Sequence, residues 1–303
     1  MQRLEAAPAP TQIEQQPQTL YSVSGRLRLI FERGHIAGRT VLAVCEQQPP
    51  LKVVRAFPSG DGGTLIHLHN LSGGVLGGDR LEMIAEVGPE ARAQLTSTGA
   101  TRLYRSRVET PAALQINKIS VGENGLLEYL PDELIPFAGS RYRQETKIEL
   151  AQSAGLFWWE TVAPGREARG ELFDYESLQI KLDITAEGKP LALERIKLEP
   201  GKRPLASLVR LGSYRYFSSF YICRVGQNAT RWLELEKQLA ELARQLTRPS
   251  ETLWGVSTLA AHGLIVRALS VKGRDIASGL RDFWRAAKLE LYGQAIVPPR
   301  KVN

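Results

Sequence analysis

Between residues 26 and 198 apolar and polar positions alternate in short runs, and Gly, Pro, Asn or Asp closes most of them. In the first run Leu27, Leu29 and Phe31 fall on one side, with Arg26, Arg28 and Ile30 on the other. Successive side chains of a strand point to opposite faces, so such a run reads as a half-buried β-strand. The same pattern predicts strands at 39–45, around Val53-Val54, and at 64–68, 81–87, 91–97, 113–121, 126–131, 144–150 and 156–162. A further pair, 178–184 and 191–198, is joined by Ala186-Glu187-Gly188-Lys189. Turns are expected at 34–38, 58–63, Gly88-Pro89 and 122–125. Alternation between turn signals predicts antiparallel pairing. The even return of short strands also admits a stacked, solenoid-like arrangement, although no exact sequence repeat is present. The fold class is mainly β.

The pattern changes towards the C-terminus. Trp232, Leu235, Leu239, Leu242 and Leu246 recur at three- and four-residue intervals, one face of an amphipathic helix over 229–246 that Pro249 stops. Strands at 253–259 and 264–269 follow. A second helix is expected over 275–292, with Ile276, Leu280, Phe283, Ala287 and Leu291 facing inwards. Asp275 is its expected N-cap and Gly293 its expected stop. The two helices either cover a sheet or present a surface to a partner.

One stretch stands apart, His69-Asn70-Leu71-Ser72-Gly73-Gly74-Val75-Leu76-Gly77-Gly78-Asp79-Arg80. Gly73, Gly74, Gly77 and Gly78 mark a tight and crowded loop, because glycine serves where φ is positive or another backbone comes close. Locally it reads as a hairpin or bulge with Asp79 capping the turn. A phosphate loop would need Lys and then Ser or Thr after the last glycine, and Asp79-Arg80 stands there instead. The dinucleotide fingerprint G-x-G-x-x-G is absent as well.

Charge and cysteine content narrow the function classes. The net charge is +7, with Arg and Lys spread among Asp and Glu along the chain. A nucleic-acid reader concentrates such charge in a stripe, so acidic protein partners are favoured and no nucleic acid is expected. Cys45 and Cys223 are the only cysteines, which argues against a disulfide framework and fits a reducing cytoplasm. Both sit in apolar strand contexts and are expected in the core. No apolar run is long enough to cross a membrane as a helix. Residues 1–18 are rich in Ala, Pro, Gln and Thr and read as a disordered tail, followed by a single domain over 19–303.

The chemistry-bearing residues form no recognisable enzyme site. There is no G-x-S-x-G elbow and no H-E-x-x-H, and His35 and His262 have no evident partner in sequence. His67 and His69 lie two apart on a strand and could share a metal, or could simply mark its wet face. Three acids sit in apolar surroundings: Asp79 at the end of the glycine loop, Glu160 after Phe157-Trp158-Trp159, and Glu194 within Leu191-Ala192-Leu193-Glu194-Arg195-Ile196. Buried together, they would need water or a cation to stay ionised. Such oxygen ligands suit weak, transient binding of a hydrated divalent ion.

An ordered series of segments resembles the UreD (UreH) family of urease accessory proteins. It comprises His69 to Asp79-Arg80, Val87-Gly88-Pro89, Thr98-Gly99-Ala100-Thr101 with Tyr104-Arg105-Ser106, and Leu127-Glu128-Tyr129-Leu130-Pro131 with Phe137-Ala138-Gly139. Leu193-Glu194-Arg195, Arg281-Asp282-Phe283-Trp284 and Pro298-Pro299-Arg300 complete it. The family commonly has two prolines after the His, where this chain has Asn70-Leu71-Ser72. The resemblance implies an elongated, β-helix-like body with two helices and no enzymatic activity. It implies a scaffold that binds apo-urease and, with UreF and the GTPase UreG, passes Ni²⁺ to the urease active site. No tightly bound cofactor is implied, only Ni²⁺ in transit along an internal passage, with Asp79, Thr101, Glu160 and Glu194 as its lining here. Arg102, Tyr104, Arg105 and Trp284 are the expected partner surface. The rival expectation is a nucleotide- or small-molecule-binding enzyme using the loop at 73–79, and a third is a plain adaptor through which no ion passes.

Overall fold

The computed structural model describes residues 22–34 and 38–299. Its strands in chain order are β1 (Ser24–Arg33), β2 (Thr40–Gln48), β3 (Leu51–Lys52), β4 (Ala56–Pro58), β5 (Thr64–Asn70), β6 (Arg80–Val87), β7 (Arg92–Ser97), β8 (Thr101–Leu103) and β9 (Ala113–Val121). Then come β10 (Leu126–Tyr129), β11 (Leu134–Pro136), β12 (Arg141–Leu150), β13 (Gly155–Val162), β14 (Ser177–Ala186), β15 (Lys189–Leu198), β16 (Tyr216–Arg224), β17 (Thr252–Thr258) and β18 (Gly263–Ser270). The helices are α1 (Ala229–Leu246) and α2 (Gly273–Tyr292). The expected tail at 1–18, and His35 with most of its turn, lie outside the described residues.

Two sheets face each other. One runs in the order β15-β14-β12-β9-β6-β1-β2 and the other β17-β18-β16-β13-β10-β7-β5-β3, with β4, β8 and β11 attached to the second. From β5 to β14 the chain passes back and forth between them, β8 and β11 continuing along the second sheet after β7 and β10, so each strand pairs with the one laid down a turn earlier. Those pairs are parallel: β6 with β9, β9 with β12 and β12 with β14 in one sheet, β5 with β7, β7 with β10 and β10 with β13 in the other. The body is therefore a flattened solenoid. The antiparallel expectation fails for this centre and holds around it, in β1–β2, β3–β5, β4–β5, β14–β15, β13–β16 and the β16–β18–β17 run. One buried face gives the same period-two pattern in either direction, which is why the pattern alone does not separate them.

Other boundaries moved for local reasons. Val53 is buried but off the ladder, its N–H bonded to the Gln47 side chain at 2.9 Å, so the third strand ends at Lys52. Cys45 is exposed because β2 is an edge strand with an open outer face, whereas Cys223 is buried as expected. The segment Tyr216–Arg224 becomes a strand, though only Ile222-Cys223 reads as one in sequence. Buried on both faces and carrying Ser218-Ser219 between its aromatic pairs, it shows no period-two alternation.

α1 begins and ends where the periodicity places it, and the Asn228 side chain caps it by accepting the Arg231 N–H at 2.8 Å. α2 starts earlier than expected: its cap residue is Lys272, and Asp275 lies in the first turn, paired with Arg248 at 2.8 Å. Gly293 ends it in the left-handed conformation, as expected. Both helices cover the outer face of the second sheet through Trp232, Leu235, Leu239, Leu280, Phe283 and Trp284. Lys288 of α2 is fully buried and bonds Asp61 at 2.9 Å and Glu128 of β10 at 3.0 Å. Among the described residues no helix is long and apolar enough to cross a membrane.

Candidate functional site

The glycine loop is a crossing from one sheet to the other, not a hairpin, since β5 and β6 belong to different sheets. Its four glycines serve two purposes. Gly73 (φ +71°) and Gly78 (φ +88°) take left-handed conformations, while Gly74 and Gly77 lie against the segment 102–110. A Cβ on Gly74 would sit 2.5 Å from the Arg102 carbonyl, and one on Gly77 would sit 2.6 Å from Thr110 Oγ1. The loop thus approaches its own chain and offers no cradle to a phosphate. Asp79 closes it: Oδ1 accepts the Val23 N–H at 3.0 Å and Oδ2 the Leu76 N–H at 2.9 Å. Asp79 is buried, but its carboxylate is committed to backbone amides and it is not among the residues lining the adjacent cavity.

That cavity, about 340 Å³, opens between the sheets beside the loop. His69, Gly73, Gly74 and 98–102 form its rim, and Gln115, Asn117, Tyr129, Tyr142 and Gln144 its inner wall. The inward positions of β9 and β12 are polar at one end and apolar at the other: Gln115, Asn117, Gln144 and Thr146 give way to Ile119, Val121, Ile148 and Leu150. A polar seam therefore runs between two apolar clusters. Asn117 bonds Gln115 at 2.9 Å and Thr146 at 3.0 Å. Tyr142 donates to Gln144 at 3.0 Å, and Gln144 donates in turn to Glu160.

Register carries the seam onward. Glu160, Ser219 and Arg267 are consecutive partners across β13, β16 and β18. Glu194 on β15 of the opposite sheet reaches the same row, where Oε1 meets Arg267 Nη1 at 2.6 Å and Oε2 accepts the Tyr221 hydroxyl at 3.0 Å. Glu194 is 6 % exposed and Arg267 58 %. Glu160 keeps some accessible surface, yet its carboxyl lies deep between the sheets, and burial pushes its pKa up to about 7. The Gln144 hydrogen bond opposes that rise, and the Glu194 charge adds to it. Burial likewise raises the neighbouring Tyr221 hydroxyl, and the Glu194 carboxylate adds to the rise.

Thr101, Glu160 and Glu194 thus share one internal feature, and Asp79 braces the loop beside it. Thr101 stands on β8 at the cavity rim. Trp284 cannot be partner surface: it is fully buried and donates to Glu128 at 2.7 Å. Arg102 and Arg105 are exposed and Tyr104 is half-buried. Residues 67 and 69 alternate with the core-packed Ile66 and Leu68, so the two histidines leave β5 on its outer side, although His69 borders the cavity. Among the described residues no three His, Cys, Asp or Glu side chains gather as a metal-holding group. Gln144, Thr146, Ser219, Tyr221 and Arg267 went unnoticed in the sequence. Polar residues at inward-facing positions of an otherwise apolar strand face were the signal that could have found them.

A profile of the UreD urease accessory protein family matches residues 23–303. The urease accessory protein UreD of Herpetosiphon aurantiacus is 46% identical over 282 residues, covering 91% of this chain and 98% of that protein. The chain belongs to the UreD family. The UreD 2 accessory protein of Brucella abortus is 29% identical over 93% of both chains, and the UreD protein of Pseudomonas fluorescens 33% identical over 76% of this one. The segments that carried the UreD resemblance are far apart in sequence, and several meet in space. The glycine loop, 98–101, Tyr129 and Pro131 surround the cavity, and Glu194 stands further along the seam.

Proposed function

We propose that the chain is a non-catalytic scaffold of urease maturation, binding apo-urease and, with UreF and UreG, passing Ni²⁺ along the polar seam. Membership of the UreD family supports the maturation role. The observation that carries the passage is Glu160, an enclosed carboxylate that the neutral Gln144 side chain links to the cavity and that charge couples to Glu194. An acid held this way costs stability as an anion and gains from any cation that reaches it. Ni²⁺ is cargo here. Carboxylate and hydroxyl oxygens hold such an ion weakly enough to release it, where clustered thiolates or imidazoles would retain it. The nucleotide-enzyme alternative loses its main support, since the glycine loop is packed on residues 102–110.

Reconstitution tests this reading. The tagged chain should retain apo-urease, and activation of apo-urease by nickel should depend on adding it. A chain that neither retains apo-urease nor changes its activation would refute the scaffold role. Retention with nickel loading insensitive to the seam would leave the plain adaptor.

A further inference from the structure

We propose that the Arg267–Glu194 ion pair is a displaceable latch, opened when an apolar partner segment carrying a carboxylate docks in the groove outside it. As a gate, it rests on the seam being a cation path. The groove, about 590 Å³, is walled by Leu198, Leu205, Phe217, Leu253 and Trp254. Its charged lining residues are Arg210 and Arg267, and no carboxylate among the described residues lines it. The loop that supplies Leu205 and Arg210 also holds Leu208 (96 % exposed) and Val209 (91 %) out in solvent. An apolar groove whose charged lining residues are both arginines fits a partner segment that is apolar and acidic.

The ion pair joins this groove to the interior. Arg267 bonds Glu194 at 2.6 Å and the Ser219 hydroxyl at 3.2 Å, closing the seam where it meets the groove. Its guanidinium is largely wet while its partner is dry, so Arg267 can turn outwards without losing hydration. A docked carboxylate would replace Glu194 as its partner. Glu194 would keep the Tyr221 and Ser219 hydroxyls as donors and turn its freed charge to the seam. Docking and opening are then one event, so the path opens only within the assembly.

Carbodiimide coupling of Arg267→Lys tests this. In the isolated chain the new amine should couple to the Glu194 carboxyl, giving an internal amide. In the complex co-expressed with urease subunits and the other accessory proteins, the product should move to an Asp or Glu of a partner, changing the internal-to-intermolecular ratio at least fivefold. Amide exchange of the unmodified chain should slow at least tenfold at 205–211 and 252–255 on assembly. An internal link that persists in the complex, or unprotected groove amides, would overturn the proposal. So would a link to a second copy of the chain in the isolated sample, which would assign the groove to self-association. The link itself is read without nickel; set beside a separate loading assay, an unmoved link with normal loading refutes the latch alone, and a moved link with loading insensitive to Glu160 refutes the path alone.

Discussion

Replacing Glu160 with Gln should make the protein more stable at alkaline pH. The carboxyl is moved from 4.5 to about 7 by burial first and the Glu194 charge second. Below pH 4.5 it is protonated in both the folded and unfolded states and exerts no bias. Between 4.5 and 7 the folded state keeps a proton that the unfolded state loses, so stability falls as pH rises. Above 7 the folded chain carries the full penalty, about 3 kcal/mol at 1.36 kcal/mol per tenfold change in proton affinity. The amide introduced by Glu160→Gln is neutral throughout and resembles the protonated acid, but it weakens the bond from Gln144, which returns about 1 kcal/mol. Urea unfolding should therefore show Glu160→Gln about 2 kcal/mol more stable than the parent at pH 8, with no gain near pH 4.5. Equal or lower stability at pH 8 would show that Glu160 is already neutralised by a partner, and the cation-path reasoning would lose its physical basis.

Three further outcomes follow from the packing. Lys288→Met strands the Asp61 and Glu128 carboxylates beneath α2 and should cost roughly 3–5 kcal/mol in urea unfolding at pH 7. More than half should return when Glu128→Gln and Asp61→Asn are added, whereas no rescue would mean that the loss is one of packing. Gly74→Ala forces a Cβ onto the Arg102 carbonyl and the Tyr104 ring, and should lower stability by about 2 kcal/mol in thermal unfolding. Asp79→Ala frees the Val23 and Leu76 amides, so their hydrogen exchange should quicken with a loss of about 1–3 kcal/mol. Unchanged exchange there would contradict the bracing role.

The alternating runs in the sequence located most of the strands because each buries one face, and they located both helices through the same logic at a longer period. They could not show that consecutive strands go to opposite sheets. β6 lies between β1 and β9 in its sheet, β9 being separated from it in sequence by β7 and β8 of the other sheet, and nothing local in these strands records that. The candidate site was legible where an acid interrupts an apolar run, as at Glu160 and Glu194. It was not legible at Arg267, an ordinary exposed residue by composition that matters because register sets it beside Ser219. Asp79 has the reverse history. Its turn-capping role was written in the loop, while its grouping with Glu160 and Glu194 as an ion-holding acid did not foresee that backbone amides take both its carboxylate oxygens. Trp284 misled because an aromatic on a terminal helix looks the same in sequence whether it faces a partner or, as here, Glu128.

If the seam carries nickel, removing its two acids must starve urease of the metal. The most direct measurement is the nickel content of urease matured with the Glu160→Gln/Glu194→Gln variant, taken after confirming that the variant folds and retains apo-urease. At least a tenfold fall in nickel per urease active site is expected, with complex formation intact. Full nickel loading by the folded, assembled variant would contradict it.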